Sequence, residues 1–181
     1  MSDEKSDDNA TKTPASTNKD DATGKAMRKL VDQRLAQPPV RSEGTAVVGT
    51  GAKARKLPYD VVAGFVPVAS TAIDEHLGEP KAAVFTIAYL AKKADAAKRP
   101  VCFSFNGGPG SSSVWLHLGA LGPKRVKIND DGTMPPPPYA VVDNPHTWFE
   151  HFDLVFIDPP HTGWSVAASK MSPSGDAARC N

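Results

Sequence analysis

Residues 106–113 read Asn-Gly-Gly-Pro-Gly-Ser-Ser-Ser and stand between two apolar segments of different period. Upstream, Val101, Phe103 and Phe105 alternate with Cys102, Ser104 and Asn106, which is the period of a strand. Downstream, Val114, Leu118 and Leu121 share one helical face, so a helix is expected from near Ser112 to near Gly122 and Pro123. Strand, glycine turn and helix in that order leave backbone amides aimed at the strand's tip. Gly107 and Gly108 permit angles and close approaches denied to other residues, while Pro109 removes one donor and stiffens the turn. Such a donor array suits an anion or oxyanion. The loop has no Lys in the phosphate-binding position, and its glycines miss the spacing of a dinucleotide fingerprint. Taken by itself, it reads first as a tight strand-to-helix turn with no ligand.

Around this unit the chain divides unevenly. Met1 to Ala26 contains no Val, Ile, Leu or aromatic residue, so nothing offsets the entropy of ordering it. Residues 1–43 are expected to be a disordered polar tail, with at most a short helix where Met27, Leu30, Val31 and Leu35 fall at helical spacing before Pro38 and Pro39. Residues 44–58 read as a linker, and the folded part, 59–168, is expected to start at Tyr59, the first aromatic residue. There, 60–69 reads as an edge strand or a bulged one, because it carries Gly64 and Pro67. It should pair antiparallel with a cleaner strand at 82–90. A brief strand at 124–128 ends in the turn Asn129, Asp130, Asp131, Gly132, and Pro135 to Pro138 continue as an extended surface segment. Leu154 to Ile157 is a buried strand that ends in a second loop, DPPHTGWS. Residues 169–181 show no sustained pattern.

Composition narrows the function classes. Lys plus Arg number 21 against 20 Asp plus Glu, a net charge of +1, so no basic field gathers nucleic acid. No apolar run reaches membrane-spanning length, and the start MSDEKSDDNATK lacks the features of a signal peptide, so a cytoplasmic location is the expectation. Cys102 and Cys180 form no disulfide framework and read as free thiols, Cys102 as a buried and inert one. His146, His151 and His161 match no metal-ligand spacing, so neither metal nor cofactor is expected. His151 could orient the loop before Leu154. Trp115, Trp148 and Trp164 read as packing residues.

Three strings in order, PVCFSFNGGPGSSSVWLHLGALGPKRV, NPHTW and FDLVFIDPPHTGWS, resemble the N-terminal part of the serine carboxypeptidases. The resemblance runs from about Tyr59 to Ser165. It implies an incomplete α/β-hydrolase fold and an enzyme class that removes C-terminal residues from peptides through a Ser, Asp, His triad without a metal. By the same resemblance, the amide of Gly108 is an oxyanion-hole donor, and Asn106 grips the substrate's C-terminal carboxylate beside Gly107. Asp158, Gly163 and Ser165 match a second loop read as mainly structural, forming one wall of the cleft. Ser104 stands where the family usually has Trp, Ala120 where it has an acidic residue, Ser111 where a Cys is common and His161 where it has a glycine. Part of the carboxylate-recognition network is therefore missing.

No serine lies in a G-x-S-x-G elbow, and the resemblance places the triad beyond Asn181. The expectation is a part of a serine-type carboxypeptidase that by itself hydrolyses nothing, with a peptide bearing a free C-terminus as the complete enzyme's substrate. The alternative is a noncatalytic product of the same fold that binds peptides or a partner.

Overall fold

A computed structural model describes residues 17–71, 73, 77–92, 95, 97–107 and 110–168, with side chains from residue 22 onward. Expectations for residues 1–16 and 169–181, including Cys180, lie outside the described residues. One mixed sheet organises the rest. Helix α1, Thr17–Leu35, leads into β1, Val40–Val48, β2, Arg55–Ala69, β3, Pro80–Ala91, and β4, Val101–Ser104. After the glycine loop, a single α-helical turn, α2, Val114–Leu116, widens into a π-helical turn, His117–Leu121. Next come β5, Lys124–Val126, β6, Val141–Asp143, β7, Asp153–Ile157, and β8, Val166–Ala167. The strand order is β1-β2-β3-β7-β4, with β8 beside the first half of β3, while β5 and β6 form a separate ribbon. Among the described strands, only β4 and β7 run parallel.

The β2–β3 hairpin forms as its alternation predicts, with Tyr59 opposite Ala91 and Ala69 opposite Pro80. β2 is not an edge strand, however, since β1 pairs with it from Arg55 to Ala63. Past Ala63 only β3 flanks it, so Pro67 falls where one side of the strand has no partner and a missing N–H is tolerated. The irregularity at Val68 and Ala69 lies just beyond.

The stretch expected as a linker at 44–58 instead holds the end of β1 and the start of β2. Ala46 and Val48 are fully buried in the core with Tyr59, Tyr89, Phe149, Leu154 and Phe156. Gly44 is there for space rather than flexibility, because a Cβ on it would lie 2.5 Å from the Tyr59 ring. The turn to β2 uses Gly49 and Gly51, both at positive φ. α1 is also longer than the short helix expected, running 19 residues. Val31, 1% exposed, is its buried anchor, Arg28 pairs with Glu79 at 3.6 Å, and the Arg34 guanidinium sits 5.6 Å over the Phe65 ring.

Aromatic edges fill the core: Tyr59 meets Tyr89 at 5.3 Å and Phe149 at 5.5 Å, both near perpendicular. Arg99 closes one end. Its Nε donates to Asp153 Oδ1 at 2.7 Å, its other nitrogens donate to the carbonyls of Phe149, Glu150 and Phe152, and its charge lies 5.2 Å over the Phe149 ring. The same Asp153 oxygen accepts the Ala91 N–H at 2.9 Å. This cluster, rather than His151, shapes the approach to β7; His151 is exposed and faces Glu150 at 3.8 Å.

At the far side, β4 is the sheet's edge. Val101, Phe103 and Phe105 alternate as expected but point outward, and Phe103 and Phe105 are 64% and 63% exposed. Ser104, which alternates with them, is the buried residue of the strand.

Candidate functional site

The tips of β4 and β7 lie side by side because the strands are parallel, so the loops that follow them meet. From β4 come Phe105, Asn106 and Gly107, which are described; Gly108 and Pro109 lie outside the described residues, so the oxyanion donor read from the sequence has no geometry here. Asn106 Nδ2 donates to Ser111 Oγ at 2.8 Å, which fixes the side-chain amide against the far end of its own loop. A Cβ at Gly107 would meet nothing within 4 Å, so the backbone beside Asn106 is open to approach.

The expected helix is shorter and turned from its predicted face. Gly122 N–H donates to His117 carbonyl at 3.1 Å, the i to i+5 bond of a π-turn, and a Cβ on Gly122 would lie 2.1 Å from that oxygen. The widened turn directs Leu116, His117 and Leu121 at the sheet. Val114 and Leu118, expected on the core face, instead line an outer groove with Trp115 and Met134. A three-residue α-turn also has little dipole, so the positive helix end expected behind the loop contributes little. One of the loop's amides is already engaged: Ser113 N–H donates to Asp158 Oδ1 at 2.9 Å.

Asp158 ties the two loops together. Its Oδ2 accepts the Trp164 N–H at 3.2 Å, and its carbonyl accepts Ser165 Oγ–H at 2.7 Å. Ser165 Oγ in turn accepts the Phe85 N–H at 2.7 Å, and Ser113 Oγ–H donates to the Ile157 carbonyl. Gly163 is required there, because its φ is +51° and a Cβ would fall 1.9 Å from Asp158 Oδ2. His161 holds a positive φ of 62°, a conformation that glycine adopts without strain. The NPHTW string serves the helix end instead. Asn144 Nδ2 donates to the carbonyls of Ala120 and Gly122 at 2.7 and 2.9 Å, and Thr147 Oγ1 donates to that of Leu121 at 2.7 Å. These bonds satisfy carbonyls that the end of a helix leaves without partners.

A cavity of about 140 Å³ lies between the loops, lined by Ser112, His117, Phe156, Asp158, Gly163 and Trp164. His117 was not among the residues the sequence marked out. Its Nε2 lies 2.7 Å from Tyr89 Oη, and its ring stacks on Phe156 at 4.6 Å. Burial pushes its pKa down to about 4, against the opposing pull of the Asp158 charge, and burial pushes Tyr89 up to about 12. Both are neutral at pH 7. Among the described residues, no three His, Cys, Asp or Glu side chains group to hold a metal ion. Trp115, Trp148 and Trp164 are 69%, 49% and 62% exposed, and Trp148 packs on Phe152 with ring centroids 6.1 Å apart. Cys102 is a free thiol, half-buried against the core.

A family model described as serine carboxypeptidase matches residues 59–180. The chain belongs to the serine carboxypeptidase family. Among curated proteins, it is 29% identical over 92 residues to carboxypeptidase Y homolog A of Trichophyton rubrum, covering 50% of this chain and 16% of that protein. It is 37% identical over 89 residues to the pheromone-processing carboxypeptidase of Puccinia graminis, covering 48% and 12%. The solved prohormone-processing carboxypeptidase of Saccharomyces cerevisiae is 33% identical, with a TM-score of 0.45 over 60% of this chain and 21% of that one. The chain thus spans a small share of its relatives' length.

Proposed function

We propose that this polypeptide carries the carboxylate-binding part of a serine carboxypeptidase site and hydrolyses no peptide by itself. Asn106 is the donor to the C-terminal carboxylate, Gly107 leaves the backbone beside it open, and Gly108 supplies an oxyanion-hole amide. The observation that carries the reading is the placement of Asn106. It stands two residues past the end of the edge strand β4, with its amide held by Ser111 at 2.8 Å. A fixed amide donor separates a free C-terminus from an internal peptide bond, because only the former offers a charged acceptor there.

Among the described residues, none supports the catalytic half. Ser165 comes nearest to an elbow in sequence, yet it is 4% exposed and its hydroxyl is engaged on both sides by backbone. A serine without a neighbouring base is a weak nucleophile.

Acetyl-Phe-Leu with a free carboxylate is expected to bind the purified chain roughly tenfold or more tightly than its C-terminal amide, the worth of one charge-assisted hydrogen bond. Asn106→Ala should cut that preference roughly tenfold. Calorimetry with both peptides checks this. Equal affinities for the wild-type chain would remove Asn106 from carboxylate binding.

A further inference from the structure

The bond between Asn106 and Ser111 leaves two donors over. An asparagine amide has two N–H groups, and one is spent on Ser111 Oγ. A serine hydroxyl that accepts a bond keeps its own O–H to donate, and accepting polarises that O–H toward a stronger bond. Neither side chain has another hydrogen-bond partner among the described residues. Nδ2 and Oγ are 2.8 Å apart, so their unspent hydrogens sit at a spacing that two oxygens of one carboxylate can meet together. Both residues are half-buried, which leaves them reachable while limiting competition from water.

We propose that Ser111 is a second donor to the substrate carboxylate, forming with Asn106 a neutral two-point clamp for a peptide's C-terminus. This rests on the assignment of Asn106 above. Two donors on one carboxylate fix its orientation as well as its position, which a lone amide does not.

The experiment uses the full chain with the free-acid and amide forms of acetyl-Phe-Leu, and reads the ratio of their dissociation constants. Ser111→Ala should cut that ratio roughly tenfold, the loss of one hydrogen bond to a charge. Ser111→Thr, which keeps the hydroxyl, should preserve it, and affinity for the amide form should hardly change in either variant. A ratio unchanged in Ser111→Ala but lost in Asn106→Ala would overturn the role of Ser111 and leave that of Asn106 standing. A ratio lost equally in Ser111→Thr and Ser111→Ala would also overturn it, by tying the effect to packing. A wild-type ratio of one would remove both residues at once.

Discussion

Arg99→Met is expected to destabilise the chain by about 3–5 kcal/mol, the range for breaking a buried ion pair from one side. The side chains of Arg99 and Asp153 are each 13% exposed, so solvent screens their pairing little. Removing the guanidinium strands the Asp153 charge and also leaves the carbonyls of Phe149 and Phe152 without their donor. The second half of the prediction is directional. In the Arg99→Met background, Asp153→Asn should recover part of the loss, because it removes the stranded charge while its oxygen still accepts the Ala91 N–H. In the wild-type background the same Asp153→Asn should destabilise. Urea denaturation of the four proteins reads the coupling directly. Additive losses would show that the pair is not the unit holding the approach to β7.

A second large effect should appear on acidification. His117 has its folded pKa lowered from 6.5 to about 4, so the unfolded chain binds the proton more readily. Its contribution is complete above about pH 6.5, shrinks as pH falls, and is gone below about pH 4, a change on the order of 3 kcal/mol. The physical event is an imidazolium forced against Phe156 in the core, in a place where Tyr89 and Asp158 are the groups that face it. His117→Gln keeps a polar partner for Tyr89 but carries no proton equilibrium. It should therefore lose less stability than wild type between pH 7.5 and pH 4.5 in urea titrations. Equal losses in both proteins would place the acid sensitivity elsewhere.

Elements with strong local signals were legible. The β2–β3 pairing, β4 running into its glycine loop, and β7 running into DPPHTGWS follow from alternation and turn residues within a few positions of one another. β1 was hidden because Arg41, Ser42, Glu43 and Gly44 read as solvated, while its core residues Ala46 and Val48 have meaning only once β2 is beside them. The face of the helix was misread for a different reason. Three-and-four spacing assumes an α-turn throughout; with the π-turn at His117–Leu121, Leu121 packs on the core as expected while Leu118 lines the outer groove and His117 turns inward. Arg99 and Asp153 stand 54 residues apart, and nothing local marks either as half of a pair. At the candidate site, the motif singles out Asn106 in the sequence. Its bond to Ser111 was not legible, because a five-residue separation across a glycine loop does not say how the loop closes.

The central claim is that these 181 residues hold a carboxylate-binding surface of a serine carboxypeptidase without its nucleophile. It is tested most directly by incubating the purified chain with a fluorophosphonate at pH 7 and weighing it intact. The expected result is an unshifted mass of 19.2 kDa, with no residue released from acetyl-Phe-Leu. A stoichiometric adduct on any serine, blocked by the free-acid peptide, would contradict the account and show that a working nucleophile and base exist within this chain.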